Sequence, residues 1–137
     1  MLKPLLKLYF SDLRRDFETP PYSQQLEVGK QGQLICHPPR GKPQPQVLGW
    51  LRNGVELDTK EDTNFIISSS GNLLILQAKL TDSANYSCVA GNVAKQRISS
   101  PALITVYSKL KYFYLSCCTC CTGKCKILCF EGKRCIT

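Results

Sequence analysis

The chain is 137 residues long, 43% hydrophobic and carries a formal charge of +8 at neutral pH. That length fits one domain with short extensions, and the apolar content excludes a wholly disordered chain. A single histidine, no glycine-rich phosphate loop and no recognisable carboxylate pair leave no acid–base or nucleophilic machinery, so the chain reads as a non-enzyme with no cofactor.

Charge and cysteine are unevenly spread. Residues 1–107 hold twelve Lys/Arg against nine Asp/Glu, a net of +3, whereas residues 108–137 hold six against one, a net of +5. A mildly basic body suits an acidic polysaccharide or an acidic protein surface, and nothing in it points to nucleic acid. Cys36 and Cys88 stand in the body, and seven further cysteines crowd into residues 117–135.

At the N-terminus, Pro4 and Lys7 interrupt the apolar residues of Met1 to Phe10. No stretch reaches the ~7–15 apolar residues of an export signal, and no run approaches the ~20 needed to span a bilayer. The expectation is a fragment of a longer receptor-like protein.

In chain order, residues 1–22 read as an extension with a first edge strand, in which Leu13, Arg15 and Phe17 alternate until Pro20-Pro21 stops pairing. Gln25 to Val28 forms a short strand, Gly29 to Gly32 a turn, and Gln33 to Cys36 a strand with Leu34 and Cys36 on one face. Residues 37–46, rich in proline, read as a loop with local polyproline conformation, and His37 as a loop residue.

Val47 to Leu51 is the next strand, with Leu48 and Trp50 pointing inward. Asn53-Gly54 signals a two-residue hairpin, because both positions tolerate positive φ. A polar connection over residues 56–64 leads to short strands at Phe65–Ile67 and Asn72–Leu76, the latter with Leu73 and Ile75 inward. Ala78 and Leu80 are expected to cap the core, and Thr81-Asp82-Ser83 to turn into a strand with Tyr86, Cys88 and Ala90 facing inward. The same alternation turns Asn85 and Ser87 outward, which makes Asn85 of the sequon Asn85-Tyr86-Ser87 a candidate glycosylation site. Val93 to Val106 is a final strand interrupted near Pro101. Seven or eight short strands at this spacing predict an all-β sandwich.

Three spacings agree on a family. Trp50 follows Cys36 by fourteen residues, Tyr86 precedes Cys88 by two, and Asp82 precedes it by six. This frame resembles an immunoglobulin-like two-sheet antiparallel sandwich. The resemblance implies a disulfide between Cys36 and Cys88, a tryptophan packed on it, a tyrosine hydroxyl that ties down the turn, and an oxidising compartment. The run from Gly71 through Leu73, Ile75, Ala78, Asp82, Ala84, Tyr86, Cys88 and Ala90 to Asn92 is similar to the intermediate set (I-set) of these domains. It covers about residues 23–107.

Leu13 to Glu18, Cys36 to Pro43, Leu51 to Gly54 and Asn92 to Arg97 together resemble the second immunoglobulin domain of uncoordinated-5 type netrin receptors. That resemblance implies a module of a cell-surface receptor in axon guidance. Its protein ligand would be netrin-like, heparan sulfate an added partner, and immunoglobulin and thrombospondin-type domains its neighbours at the extracellular face of the plasma membrane. Candidate contacts are Arg40 and Lys42 in the proline-rich connection and Lys95 and Arg97 in the last hairpin. The alternative is another neuronal adhesion or extracellular-matrix immunoglobulin protein.

Three departures from the family stand out. Val47 to Trp50 carries one extra residue, which predicts a bulge near Gly49. No basic residue clearly stands where the family pairs one with Asp82, Lys60 being the nearest candidate. The tail over residues 108–137 lacks the tryptophan-rich start of a thrombospondin repeat and is expected to be unstructured.

Three readings of that tail stay open. Cys117, Cys118, Cys120, Cys121, Cys125 and Cys129 have spacings that suit a thiolate metal cluster. Cysteines beside aromatics and lysines also suit acylation near a membrane. The abrupt loss of family pattern after Tyr107 favours a third reading, a C-terminus joined from unrelated sequence.

Overall fold

The computed structural model describes residues 11–109. Eleven short strands and one 3₁₀ turn make up this part of the chain. The main sheet runs β2 (Gln24–Glu27), β11 (Ala102–Tyr107), β9 (Ala84–Gly91), β5 (Gln46–Arg52) and β6 (Val55–Glu56), and β10 (Gln96–Ile98) also pairs with β9. A second sheet orders β3 (Gly32–Leu34), β8 (Leu73–Ile75) and β7 (Phe65–Ile67). A separate ribbon joins β1 (Asp12–Thr19) to β4 (His37–Lys42). All pairings with a resolved register are antiparallel.

Alternation builds the core. Leu34 and Cys36, Leu73 and Ile75, Tyr86, Cys88 and Ala90, and Ala102, Ile104 and Val106 are all buried, while their strand neighbours, Gly91 apart, face outward or are half-covered. Trp50, Phe65 and Tyr86 are the largest fully buried side chains. The bridge between Cys36 and Cys88 joins the two layers with a Cα–Cα distance of 6.4 Å.

Polar atoms within the core are met one by one. The Trp50 indole donates to the Gly71 carbonyl at 2.9 Å. Gly71 itself sits at φ +89°, and a Cβ there would lie 2.5 Å from Val47. Only glycine meets both demands without strain. The Tyr86 hydroxyl donates to the Asp82 carbonyl at 2.7 Å, which pins the 3₁₀ turn at Leu80–Asp82 to the strand that follows. Ser99, also buried, accepts from the Cys88 amide at 2.9 Å.

The turns follow their residues. Asn53 and Gly54 both take positive φ in the β5–β6 hairpin. The bulge falls where the extra residue predicts it: Val47 lies opposite Ala90 and Gly49 opposite Val89, with Leu48 between them.

Several expectations are corrected. Leu48 points to solvent and is 53% exposed, because the bulge reverses the alternation that would have buried it. Leu80 is 59% exposed on the 3₁₀ turn, and Ala78 alone of that pair reaches the core. Residues 37–42 form a strand and not a polyproline loop. Two prolines fit there because β4 pairs on one side only, and an edge strand tolerates the missing N–H. His37, on this strand, hydrogen-bonds through Nδ1 to the Thr19 hydroxyl at 2.9 Å.

Asp82 finds no partner in Lys60. Its buried carboxylate accepts from the Asn64 carboxamide at 3.1 Å and from the Lys79 amide at 2.8 Å. A neutral amide therefore stands where the family resemblance implies a cation. The Arg52 guanidinium lies 5.8 Å from the centre of the Phe65 ring and donates to the Thr81 carbonyl.

Candidate functional site

The four basic candidates are sorted by the fold into different environments. Period two puts Arg40 and Lys42 on the outward face of β4, with Pro39 buried on the other. Arg40 is already engaged: its Nε donates to Glu18 Oε1 of β1 at 2.5 Å. This hydrogen bond and the attendant charge attraction lower the Glu18 pKa and raise that of Arg40. Lys42 lies opposite Asp12 in the ribbon and is exposed.

Lys95 is exposed in the turn between β9 and β10. Asn92 shapes that turn, since its Oδ1 accepts from the amides of Ala94 and Lys95 at 2.9 and 3.2 Å. Its Nδ2 donates to the carbonyls of Asp12 and Pro43 at 2.9 and 3.0 Å. One side chain thus fastens the β9–β10 turn to the β1–β4 ribbon and gathers Lys42 and Lys95 at the same end of the sandwich. Arg97 does not join them. It is half-buried opposite Ala90, and its Nε is covered without a hydrogen-bond partner among the described residues.

Beside Arg40 lies an open cleft of about 480 Å³ lined by Glu18, His37, Pro39 and Pro45 among others. A second concavity, of about 400 Å³, was not anticipated. It lies on the outer face of the main sheet over Gly49, walled by Leu48, Val89 and Ile98, with Glu56 and Gln96 at its margin. Leu48 and Ile98 are more than half exposed. The extra residue before Trp50 was the available signal, because a bulge that turns Leu48 outward makes this face apolar.

Asn85 is exposed on β9, in the same outward row as Ser87 and Val89. Its backbone is fixed to the hairpin: the Asn85 amide donates to Asn53 Oδ1 at 3.0 Å and its carbonyl accepts from the Asn53 amide at 2.7 Å. Trp50, Leu73, Ile75, Asp82 and Tyr86 are structural, all buried in or beneath the core.

Among the described residues, no group of three or more His, Cys, Asp or Glu side chains is placed to hold a metal ion. Cys117, Cys118, Cys120, Cys121, Cys125 and Cys129 lie outside the described residues. No helix among the described residues is long and apolar enough to cross a membrane.

Comparison with known proteins agrees with this architecture. A family model described as an immunoglobulin domain matches residues 16–92. Protein sax-3 of Caenorhabditis elegans is 38% identical over 100 residues, which is 73% of this chain and 8% of that protein. Netrin receptor UNC5D of Rattus norvegicus is 38% identical over 95 residues, 69% of this chain and 10% of that protein. The chain thus spans a tenth or less of the length of these relatives. A solved structure of tandem Ig repeats of Dlar superposes with a TM-score of 0.62 at 23% identity, covering 69% of this chain and 48% of that one.

Proposed function

Since the chain belongs to the immunoglobulin domain family, we propose that it is a non-enzymatic ligand-binding module of the intermediate set, part of the ectodomain of a netrin-receptor-like cell-surface protein. The observation that carries this reading is the 38% identity to netrin receptor UNC5D over 95 residues. In this reading the module occupies residues 23–107 and corresponds to a second immunoglobulin domain. It works outside the cell, with immunoglobulin and thrombospondin-type neighbours in the full-length parent. Binding rests on shape and charge complementarity of strands and loops.

The basic end of the sandwich is its candidate polysaccharide contact. Lys42 and Lys95 carry the free charge, held together by Asn92. Arg40 contributes less, because Glu18 offsets it, and Arg97 less again, because it is half-buried. Exposed charges of this kind act most strongly at low ionic strength.

The full chain, secreted with its disulfide formed, is tested for netrin binding by biolayer interferometry and for retention on heparin along a salt gradient. Netrin binding is expected, and K42E with K95E is expected to elute from heparin at clearly lower salt, while R40A elutes close to the parent. Absence of both netrin and heparin binding at low salt would sink the proposal. The equal identity to protein sax-3 favours a second reading, a receptor or adhesion module of other ligand specificity. Heparin retention without netrin binding selects it.

A further inference from the structure

We propose that Asn85 carries an N-linked glycan whose sugars lie along the apolar outer face of the main sheet and shield it. The inference rests on the reading of this chain as part of a secreted or cell-surface protein, and it assigns a modification and a role to a face that the ligand-binding proposal does not use.

The first observation is the acceptor itself. Asn85 and Ser87 are two apart on an extended strand, so both side chains leave the sheet on the same side. Asn85 is exposed, and its hydrogen bonds are made by its backbone, which leaves the carboxamide without a partner among the described residues. The sequon therefore presents an unengaged nitrogen with its serine beside it.

The second observation is what surrounds it. Leu103 of β11 lies directly opposite Asn85 in the ladder and is 48% exposed. Directly opposed residues of an antiparallel pair bring their Cβ atoms within about 5 Å, so the first sugar would rest against Leu103. Leu51 stands opposite Ser87. Farther along the same outward row is Val89, four residues from Asn85 and so ~13 Å away at the rise of a strand. There it forms the groove with Leu48 and Ile98. The outward residues from Leu103 to Leu48 are thus largely apolar, and a chain of sugars rooted at Asn85 runs across them. Sugar rings have apolar faces and a hydroxylated rim, which suits a surface that must meet water without pairing to another sheet.

The transfer needs a polyprenyl-diphosphate-linked oligosaccharide as co-substrate. The bond between the anomeric carbon and the diphosphate oxygen breaks, that carbon bonds to Asn85 Nδ2, and one Nδ2 proton is lost as the polyprenyl diphosphate leaves. No redox change occurs.

The full 137-residue chain is expressed behind a secretion leader in glycosylation-competent animal cells, beside N85Q and S87A. The expected result is one glycan on the parent, removed by an amidase specific for N-linked sugars with conversion of Asn85 to aspartate, and none on either variant. A secreted, disulfide-bonded parent without sugar overturns the proposal, and does so independently of whether the protein binds netrin. Shielding is read on the folded glycoprotein before and after enzymatic removal of the sugar, which needs no mutation. Fluorescence of a hydrophobic dye is expected to rise several-fold, and self-association in light scattering to increase. L48D with I98D, stripped of sugar, is expected to show neither. A glycoprotein unchanged in both readouts on removal of its sugar overturns the shielding role.

Discussion

At the scale of single residues, Tyr86 ties the core to the 3₁₀ turn beside it. It is fully buried, its ring lies 6.0 Å from that of Phe65, and its hydroxyl holds the Asp82 carbonyl. Burial raises its pKa to about 12, above the ordinary tyrosine value near 10. The protonated phenol is therefore the form the fold accepts. Its stabilising contribution is whole below about pH 10, and is lost as pH climbs from about 10 to about 12 and the unfolded chain ionises first. Tyr86→Phe should lose about 1 kcal/mol at neutral pH, the net worth of one hydrogen bond, and should flatten the alkaline decline. Urea titrations across that pH range measure both. An alkaline slope identical in the two proteins would mean that another group governs it.

At the scale of elements, what was legible depended on unbroken period. Strands β9 and β11 show their buried faces directly in the sequence, because the residues that are buried stand at every second position and are apolar. Strand β5 does not, since one inserted residue shifts the phase, so the sequence predicts the bulge yet places Leu48 on the wrong face. Strand β4 was hidden by its prolines, whose cost depends on whether a partner needs the missing N–H, and that is a property of the sheet and not of the segment. The partner of Asp82 was hidden for a similar reason. A search for a cation passes over Asn64, which meets the need with a neutral amide that also donates to the Gln77 carbonyl and accepts from the Gln77 amide. Asn64→Ala strips these contacts together and leaves a buried carboxylate short of a donor. A loss of about 2–3 kcal/mol in equilibrium denaturation is expected, and a change below about 0.5 kcal/mol would show that water replaces the amide without cost.

At the scale of the whole molecule, the stability of the described residues rests on one small core and one covalent link among them. Cys36 and Cys88 are 52 positions apart, and a loop of that length contributes about 4 kcal/mol in the chain-entropy view. A domain of this size has a total of only about 5–15 kcal/mol. Cys88→Ala is therefore expected to leave the fold marginal or lost at body temperature. Thermal unfolding followed by circular dichroism tests it, and an unchanged melting temperature would remove the bridge from its central place. The basic end of the sandwich was only half legible. Composition located four cations on two connections, but their division into a free pair, an ion-paired arginine and a half-buried arginine depends on which strand lies beside each.

The fastening made by Asn92 also has a mechanical meaning. Asp12 begins β1 at the end where Asn92 holds it, whereas β11 runs to the opposite end, with Ile104 opposite Ala84 and the Val106 amide held by Ser83 at 2.9 Å. Tension applied through Asp12 and Tyr107 thus pulls β1 along its own length against β4. The ladder bonds of that ribbon share such a load side by side instead of opening one after another. In this arrangement the carboxamide of Asn92, at the point where the force enters, is among the first contacts to bear it.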